Sequence, residues 1–591
     1  MCSILGYSGK DNAASILVDG LKLMEYRGYD SVGVATIKDE KILISKGVGK
    51  VAEVNQRLGL EKMEGSIGIG HTRWATHGGV TDGNAHPHST CQGDIAVVHN
   101  GIIENYQELK NELIMQGHSF RSQTDSEVIA HLLEEKYSKG SSIKQAIVEA
   151  CKKLRGSYAF VAAFKDGAMA AARWEEPLII GVSPEGLFIS SDVLGFLKFT
   201  DNAIFLDNGD IAVIEDNNIA LYDIGGSPVS RPITPVAWEL GAANKGKYEH
   251  HTLKEINEQT RTTINRISSR NGLDEFCKII SQAEHVFLTG SGSSHHVALL
   301  ARRIFSRFAK IQASVIVSSE FQYEFDSITP NSVLIAISQS GESADVLNSV
   351  KKAKEMGAKI LSIVNVTTSS LARMSDAIVA IECGPEIGVA ATKSFTGQLA
   401  AIYAIANQLA KSLQHHDDMI GDLDELSSAL DMTLSSYHNM AKIVELTSNA
   451  NNIYLLGRSM HYPIALEGAL KLKELAYIHA EGLAAGELKH GPLALMEKNV
   501  LVLVLNPTDN TYEETLHNIH EIKARGATVI GVSDRNSDLY DHWIELPKIK
   551  EEHLYPLIEV VPLQILAYLV AVSRKVDPDY PRNLAKSVTV K

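Results

Sequence analysis

The sequence predicts an α/β protein of about three domains, and three observations support this prediction. The chain has 591 residues, whereas a single domain usually has roughly 100–200. After residue 250, fully apolar runs such as Val333–Ile337 alternate with helix-length amphipathic segments, which is typical of parallel sheets covered by helices on both faces. The segment His285–Gly292 also recurs as Asn452–Ser459, and Ala353–Ile363 recurs as Ile522–Val532. These similarities indicate two copies of one domain.

The composition is that of an ordinary globular protein, with 45% hydrophobic residues and a net charge of −15. An acidic chain is a poor non-specific ligand for nucleic acid, because phosphate contacts need clustered Lys and Arg. The first residues lack the basic and apolar regions of a signal peptide. No uninterrupted apolar run reaches the roughly 18 residues that a membrane helix needs. We therefore expect a soluble protein whose partners include neither nucleic acid nor a membrane.

The five cysteines, Cys2, Cys91, Cys151, Cys277 and Cys383, are widely spaced and form no CxxC pair. Disulfide frameworks and zinc ribbons are therefore not expected, and the reducing cytoplasm is the expected location. The last four have no catalytic context and are predicted to be small core residues.

Cys2 has a possible catalytic context, because removal of Met1 would place a thiol and a free α-amino group on one residue. An α-amino group has a pKa of about 7.7–8.0 and is an established base for a terminal nucleophile. The alternative is an accidental, buried cysteine.

Several polar segments of the N-terminal region lie at the ends of predicted strands or helices. In chain order they are a turn at Glu25–Ser31 before the apolar run Val32–Ile37, the segment His71–Gly78 after the strand Ile67–Gly70, a tight turn at Asn100-Gly101 after the buried strand Ile95–His99, and Asp125 before a helix over 126–137.

These residue types suit acyl transfer from an amino-acid amide. The guanidinium of Arg73 matches an α-carboxylate, and Asp125 could hold an α-ammonium group. Asn100 and the Gly101 N–H could stabilise an oxyanion. The alternatives are a surface ion pair for Arg73, a plain N-cap for Asp125 and an ordinary hairpin turn for Asn100-Gly101.

Four nearby histidines raise the question of a metal site. They are His71, His77, His86 and His88. Their spacing is not that of zinc ligands, and no carboxylate or Cys partner is evident beside them. No metal is therefore expected.

Together these motifs resemble the N-terminal-nucleophile (Ntn) glutamine amidotransferase family over about residues 2–235. The matching segments are Cys2–Tyr7, Tyr26–Ser31, His71–Gly78, His99–Gly101 and Thr124–Glu127. The resemblance implies an αββα Ntn-hydrolase-type glutaminase domain in which Cys2 attacks the glutamine amide and Asn100 with Gly101 stabilises the oxyanion. It also implies glutamine-binding roles for Arg73, Trp74, Thr76, His77 and Asp125, with Trp74 gating the passage of ammonia.

Glycines and prolines between residues 223 and 247 predict a domain boundary. We expect a linker over 236–250, with a helical segment over 249–270. The first copy of the repeated domain is then expected over 251–430, the second over 431–575, and a C-terminal tail over 576–591.

Two serine-rich loops in the first copy are candidates for a phosphate site. Gly290–Ser294 and Ser338–Ser343 each follow a predicted strand and begin a helix. Helix N-termini offer free N–H groups to an anion, although neither loop has a nucleotide P-loop pattern, and ordinary serine caps are the alternative. The second copy has Asn506–Asp509 at this position. Because Pro507 lacks an N–H, we expect that copy to have lost phosphate binding.

Candidate acid–base residues are concentrated in the second copy. Lys471 and Glu474 share a helix face at i, i+3, although such a pair is often a solvated ion pair. His490 stands beside Gly-Pro on a loop and is a candidate acid or base. Lys586 lies near the end of the chain, where a frayed tail is the alternative.

Residues 240–591 resemble the isomerase half of the glutamine–fructose-6-phosphate amidotransferase family, which has two sugar isomerase (SIS) domains. The matching segments are Ser338–Glu342, Glu386–Ala390, Ala465–Glu474, Ala485–Pro492 and Pro581–Val590. The resemblance implies two doubly wound parallel-sheet domains of flavodoxin-like type, with the tail over the active site.

The same resemblance implies roles for particular residues. His490 would open the sugar ring, Lys586 would form a Schiff base, and Glu474 would move a proton between C1 and C2, assisted by Lys471. The implied sugar-phosphate-binding residues are Ser293, Ser294, Ser338, Gln339, Ser340, Ser343 and Val389.

The two resemblances together imply an isomerising amidotransferase that makes glucosamine 6-phosphate and glutamate from fructose 6-phosphate and glutamine, with ammonia passing internally. This would be the first step of amino-sugar biosynthesis. No cofactor is expected, and the family implies a homodimer. A phosphoribosyl-diphosphate amidotransferase is one alternative, but the SIS repeat argues against it. A sugar-phosphate-sensing regulator is another, but it would be expected to lack Cys2, Glu474, His490 or Lys586.

Overall fold

A computed structural model describes residues 2–236, 244–415, 418–436 and 440–589. The chain forms two compact units. Unit 1 comprises Met1–Ala242 with Ala585–Lys591, and unit 2 comprises Ala243–Leu584. Residues 237–243 of the predicted linker lie outside the described residues. The predicted tail is divided, because 576–584 belongs to unit 2 and 585–591 to unit 1.

The described part of unit 1 has two antiparallel sheets. Its strands are β1 (Ser3–Gly9), β2 (Ser31–Lys38), β3 (Lys41–Val48), β4 (Ile67–Arg73), β5 (His88–Ser89), β6 (Ile95–Ile103), β7 (Gly156–Phe164), β8 (Met169–Trp174), β9 (Ile179–Ser183), β10 (Gly186–Ser190), β11 (Asn202–Phe205), β12 (Ile211–Glu215), β13 (Asn218–Tyr222) and β14 (Ile233–Pro235). The strand orders are β14-β11-β9-β10-β1-β4-β2-β3 and β13-β12-β8-β7-β6-β5.

Helices cover the outer faces of these sheets. They are α1 (Ala13–Met24), α2 (Val51–Leu58), α3 (Tyr106–Met115), α4 (Glu127–Tyr137) and α5 (Ile143–Lys153). Helix α1 packs on β1 and β4, whereas α4 and α5 pack on the second sheet. Because side chains alternate along a strand, Val98 of β6 lies in the core between the sheets and Val97 lies in the core beneath the helices. The layers are therefore helix, sheet, sheet and helix, which confirms the αββα fold.

Strand β6 differs from its prediction at Asn100-Gly101. The expected tight turn is wrong, because β6 continues to Ile103 and Asn100 and Gly101 pair with Ala159 and Tyr158 of β7. Gly101 has a φ of +112°, so a glycine bends the strand locally instead of ending it.

Unit 2 contains two five-stranded parallel sheets among its described residues. Their strands are β15 (His285–Gly290), β16 (Ala313–Val317), β17 (Ser332–Ser338), β18 (Lys359–Val364) and β19 (Ala377–Ala380), then β20 (Asn452–Gly457), β21 (His479–Ala484), β22 (Leu501–Leu505), β23 (Thr528–Ser533) and β24 (His542–Glu545). The orders are β16-β15-β17-β18-β19 and β21-β20-β22-β23-β24. Each copy thus has the order 2-1-3-4-5 of a flavodoxin-like doubly wound sheet. The predicted repeat is confirmed, since β15 corresponds to β20 and β18 to β23.

The helices of unit 2 are α6 (His251–Asn257), α7 (Gln259–Ser268), α8 (Leu273–Ser281), α9 (Ser293–Ile304), α10 (Phe321–Glu324), α11 (Ala344–Glu355), α12 (Ser370–Met374), α13 (Lys393–Ser412), α14 (Leu423–Ser435), α15 (Ala441–Asn449), α16 (His461–Ala476), α17 (Tyr512–Lys523) and α18 (Tyr555–Ser573). The helical segment expected over 249–270 is therefore two helices with Glu258 between them.

The two copies share one apolar core. A single cluster contains Leu288 and Ile335 of the first sheet, Leu455 and Leu503 of the second, and Ile558 of α18. Among the described residues, one segment is long and apolar enough to cross a membrane by composition, Glu552–Ser573, but 83% of its apolar window is buried inside the protein. Helix α18 is thus the central core helix that both copies pack against.

Candidate active sites

Cys2 is held beside Arg73 and Trp74 by strand pairing. Strand β1 runs antiparallel to β4, with Ser3 opposite Thr72. The Trp74 N–H donates to Cys2 Sγ at 3.2 Å. Burial raises the pKa of the Cys2 thiol, and the Trp74 N–H and the Arg73 charge offset only part of this effect. A nearby base is therefore needed to form the thiolate nucleophile.

The Asn100 amide faces Cys2 in a fixed orientation. Asn100 Nδ2 donates to the Cys2 carbonyl oxygen at 3.1 Å. On its other side, His71 Nε2 lies 3.2 Å from Asn100 Oδ1 and 3.0 Å from the His99 carbonyl oxygen. Both of those atoms are acceptors, so the proton of His71 is assigned to Nε2. One N–H of the Asn100 amide then remains to stabilise an oxyanion.

Gly101 is the neighbouring oxyanion candidate, and its position excludes a side chain. A Cβ there would lie 2.1 Å from the Ser157 carbonyl oxygen, in addition to the strain of a φ of +112°. Glycine is therefore required for the strand to bend beside Cys2.

Arg73 and Asp125 are buried, with 3% exposure each. The guanidinium of Arg73 donates to the carbonyl oxygens of His77, Gly78 and Gly79 at 2.6–3.2 Å, so the surface ion pair is wrong. Asp125 Oδ2 accepts from the Ile103 N–H at 2.8 Å. Because the N-cap of α4 is Ser126, Asp125 is not the plain N-cap either.

One cavity brings most of the predicted glutaminase residues together. Its lining includes Cys2, Arg73, Trp74, Thr76, His77, Gly101 and Asp125. Its volume is 10 Å³, which is room for about one water molecule. Trp74 contacts the Tyr29 ring edge-on and His77 contacts the Tyr106 ring, whereas Thr76 is exposed. The residues from 74 to 80 therefore form one wall that is open to solvent.

The other histidines near this cavity are neutral, buried hydrogen-bonding groups. Burial lowers the pKa of His71 to about 3 and that of His99 to about 4, and it holds the pKa values of His86 and His88 well below their usual range. His86 Nδ1 accepts from the His99 N–H, and His88 Nε2 lies 3.0 Å from Thr124 Oγ1. These contacts give the histidines a structural role, and sequence reasoning missed the part of His71 in orienting Asn100.

The end of the described chain packs in unit 1. Ser587 and Thr589 are buried, and Thr589 Oγ1 donates to Glu176 Oε2 at 2.7 Å. Lys586 is half-buried in this segment. The alternative of a frayed tail is therefore wrong for these residues.

In unit 2, the predicted phosphate loops lie where the strand order reverses. Strands β15 and β17 are neighbours, and the crevice at the carboxyl ends of such strands is the usual ligand site. Ser338 Oγ accepts from the Gly341 N–H at 3.0 Å and Ser340 Oγ from the Glu342 N–H at 3.2 Å. Ser343 precedes α11, and its side chain makes no cap bond. Gln339 is half-buried in the same loop.

A buried charged cluster lies against the other loop. Lys471 Nζ lies 2.5 Å from Glu474 Oε2, 3.3 Å from Glu467 Oε1 and 3.3 Å from Ser293 Oγ. Since Lys471 and Glu467 are fully buried, the solvated ion pair is wrong. Burial opposes the charge of Lys471, but the two glutamates outweigh it and raise its pKa.

Glu467 is a site residue that sequence reasoning missed. Its carboxylate accepts from Ser293 Oγ at 2.8 Å and lies 2.7 Å from His296 Nδ1. Burial opposes its charge, but Lys471 and His296 outweigh it and lower the pKa of Glu467. The i, i+4 spacing from Lys471 is a signal that could have identified it.

The other predicted residues lie in different surroundings. Ser294 Oγ lies 3.0 Å from Gln398 Nε2. Val389 is buried, and its N–H donates to the Asp579 carbonyl oxygen at 3.2 Å. His490 is exposed at the end of a 3-10 helix, Ala485–His490.

In the second copy, carboxylates occupy the corresponding strand ends. The Thr508 N–H donates to Asp534 and the Thr511 N–H to Asp509, at 2.6 and 2.7 Å. His461 lies between Asp509 and Glu559, at 3.1 and 2.9 Å. These two amide groups are therefore already bonded to carboxylates, and the loss of phosphate binding in this copy stays a prediction.

Comparison with known proteins finds the same domains. Residues 71–198 match the glutamine amidotransferase domain family, and 279–408 and 446–574 match the SIS domain family. The isomerising glutamine–fructose-6-phosphate aminotransferases of Pyrococcus horikoshii and Aquifex aeolicus are 45% and 41% identical to this chain, over 100% of the chain and of each relative.

A solved structure covers the second half. The C-terminal domain of glucosamine-fructose-6-phosphate aminotransferase from Francisella tularensis is 34% identical, with a TM-score of 0.52, and covers 57% of this chain and 99% of that one. With full-length relatives at this identity, the chain belongs to the family of isomerising glutamine–fructose-6-phosphate aminotransferases.

Proposed function

We propose that the chain makes glucosamine 6-phosphate and glutamate from fructose 6-phosphate and glutamine, using two separate sites. The observation that carries the proposal is the cavity that places Cys2 beside Arg73 and Asp125, in a chain that also has two SIS domains. Glutamine supplies the nitrogen at the first site, and the sugar phosphate receives it at the second.

At the first site, Cys2 attacks the glutamine amide after Met1 has been removed, and its α-amino group takes the thiol proton. The Asn100 amide and the Gly101 N–H stabilise the oxyanion. Arg73 and Asp125 bind the α-carboxylate and α-ammonium groups, with Thr76 and His77 beside them. Ammonia leaves, and water hydrolyses the thioester to glutamate. Because the cavity holds only about one water, the wall around Trp74 moves when glutamine binds.

At the second site, the loops Gly290–Ser294 and Ser338–Ser343 hold the sugar phosphate, with Gln339 and Val389 contributing to the wall. His490 opens the sugar ring, and Lys586 forms a Schiff base with the C2 carbonyl. The carbonyl oxygen leaves as water when this Schiff base forms, and ammonia then displaces the lysine to give a C2 imine. Glu474, oriented by Lys471, moves a proton from C1 to C2, which converts the ketose imine into the 2-amino aldose.

Ammonia passes internally between the sites in this proposal. In neutral water it becomes ammonium, which is not a nucleophile, so release to solvent would waste glutamine. We place the enzyme in the cytoplasm as a homodimer, and the reaction needs no cofactor.

Separation of the two activities tests the proposal. Cys2→Ala is expected to abolish glutamine-dependent synthesis while isomerisation of fructose 6-phosphate continues. Glu474→Gln is expected to abolish isomerisation of fructose 6-phosphate while glutamine hydrolysis is retained. Cys151→Ala, in the core of unit 1, is the matched control and should retain both activities. Equal loss of both activities in Cys2→Ala would contradict two separable sites, and retention of Met1 in the mass of the mature chain would contradict the role of the α-amino group.

A further inference from the structure

Unit 1 contains a second cluster of reactive side chains that the proposed reaction does not use. Cys91, His118, His131 and Glu134 have one potential ligand atom each, and these atoms all lie within 4.8 Å of one another. Cys91 lies in the loop between β5 and β6, His118 follows α3, and His131 with Glu134 shares one face of α4. Cys91 is half-buried, so its prediction as a core residue is wrong, whereas Cys151, Cys277 and Cys383 are buried as expected.

The distances within this cluster fit one tetrahedral metal ion. Cys91 Sγ lies 3.9 Å from His118 Nδ1 and 3.8 Å from His131 Nδ1. Glu134 Oε2 lies 3.0 Å from each of the same two nitrogens. Zinc–ligand bonds of usual length in a tetrahedron give about 3.5 Å between sulfur and nitrogen and about 3.3 Å between nitrogen and oxygen. The ligand atoms therefore need to move by only a few tenths of an ångström.

In both histidines the other ring nitrogen, Nε2, lies near a second carboxylate. His131 Nε2 lies 3.6 Å from Glu127 Oε1, and His118 Nε2 lies 3.5 Å from Glu135 Oε2. His131 Nε2 is fully buried and has no hydrogen-bond partner among the described residues. Carboxylates in this position fix the tautomer of a metal-bound histidine and leave Nδ1 free for the metal.

The carboxylates of the cluster are held in place by backbone amides. Glu134 accepts from the N–H groups of Cys91 and Gln92 at 3.1 Å. Glu127 accepts from the Arg121 and Ser122 N–H groups at 2.7 Å. Glu134 is thus pre-organised as an oxygen ligand, and half-buried His118 gives an ion access.

We propose that Cys91, His118, His131 and Glu134 bind one structural zinc ion. One thiolate, two imidazoles and one carboxylate suit Zn²⁺ better than Mg²⁺ or Ca²⁺, which prefer oxygen ligands alone. Four protein ligands leave no open position for a substrate. The ion would join three separate segments of unit 1. The segment that begins at His118 continues along the chain to Asp125, which lines the glutamine cavity.

Sequence reasoning missed this cluster because its members come from three segments. The histidines considered there, His71, His77, His86 and His88, are different ones. Only the i, i+3 pair His131 and Glu134 is visible as a local pattern, and the expectation of no metal rested on the absence of a Cys or carboxylate partner near the other four.

Metal content and cobalt spectroscopy test the proposal. Cys2→Ala protein without a histidine tag is used, so that the N-terminal thiol and amine cannot chelate metal. We expect inductively coupled plasma mass spectrometry to find about one zinc ion per chain. After exchange with Co²⁺, we expect a thiolate-to-cobalt charge-transfer band in the near ultraviolet and strong visible bands of a tetrahedral site. Adding Cys91→Ser should remove that band, and Glu134→Gln should weaken metal binding at least about tenfold. Adding Cys151→Ala is the matched control and should leave the charge-transfer band and the metal affinity unchanged.

Three measurements on protein with all four ligands keep the test decisive if those variants fail to fold. Cys91 should resist a thiol reagent until a chelator is added, and chelation should lower the melting temperature by several degrees, since the ion stabilises only the folded state. X-ray absorption should show one sulfur neighbour at about 2.3 Å and nitrogen or oxygen neighbours at about 2.0 Å. Protein that carries no zinc, gives no cobalt charge-transfer band and melts at the same temperature with and without chelator would overturn the proposal.

Discussion

His71 Nε2 lies 3.2 Å from Asn100 Oδ1, across the interior between the two sheets of unit 1. His71 is on β4 and Asn100 is on β6, so the contact depends on how the sheets face each other. Since burial keeps His71 neutral, with a pKa of about 3, the imidazole acts as a hydrogen-bond donor and not as an acid. It positions the amide that the proposed mechanism assigns to the oxyanion.

His71→Phe should therefore lower kcat for glutamine hydrolysis with little change in KM. The ring is retained, but Asn100 loses the bond that orients it. Deleting an oxyanion donor costs about 10²–10³ in kcat, and a misoriented donor should cost roughly tenfold to a hundredfold. Steady-state glutaminase kinetics measure the effect.

Asn100→Ala is the comparison for that variant and should show the larger loss. Sugar-phosphate isomerisation in the same preparations should be unchanged, because it reports on the second site. A His71→Phe protein with normal kcat and a raised KM would contradict the positioning role.

Gly101→Ala should disrupt the glutaminase site and destabilise unit 1. The added Cβ would lie 2.1 Å from the Ser157 carbonyl oxygen at a φ of +112°. The backbone conformation alone costs about 1–2 kcal/mol, and the clash adds about 1–3 kcal/mol. Denaturant unfolding and glutaminase activity measure the change.

Gly93→Ala separates the cost of the backbone conformation from the cost of the clash with Ser157. Gly93 also has a positive φ, +76°, but a Cβ there would have no neighbour within 4 Å among the described residues. It should cost only about 1 kcal/mol and leave glutamine hydrolysis intact. Equal effects of the two substitutions would show that the Ser157 contact is unimportant.

The parts of the fold that follow local patterns were predictable from the sequence. Strand β17 is a continuous apolar run and both sheets of unit 2 follow the repeat, so the loops at their carboxyl ends were correctly located. Partners that come together only through tertiary packing were not predictable. His461 and Glu559 are far apart in the chain, and they meet because α16 packs on α18. The Asn100-Gly101 dipeptide favours a turn in isolation, but pairing with β7 along its whole length kept it in the strand.

Lys471→Met should destabilise unit 2 and abolish isomerisation. The substitution leaves the fully buried Glu467 carboxylate without its main counter-charge. Breaking a buried ion pair on one side costs about 3–5 kcal/mol. Denaturant unfolding measures the stability, and conversion of fructose 6-phosphate measures the activity.

The double variant Glu467→Gln/Lys471→Met should recover much of the stability but none of the activity, because both buried charges are removed together. Lys473→Met is the control on the same helix. Lys473 is exposed, so its loss should change the stability by no more than about 0.5 kcal/mol. A double variant as unstable as the sum of the single variants would show that the two charges do not stabilise each other.

The ion pairs of His461 with Glu559 and Asp509 should stabilise unit 2 less and less as the pH rises above neutrality. Burial opposes the imidazolium charge, but the two carboxylates outweigh it and raise the pKa of His461 to about 10. An unfolded histidine has a pKa of about 6.5. Because the folded state holds its proton more tightly, the stabilisation is fully present below about pH 6.5 and is lost as the pH rises to about 10. Denaturant midpoints of His461→Gln and the unsubstituted protein should therefore differ most at low pH and converge towards pH 10. His479→Gln, at an exposed histidine of the same unit, should show no such convergence. A difference that stays constant with pH would mean that His461 is neutral in the folded protein.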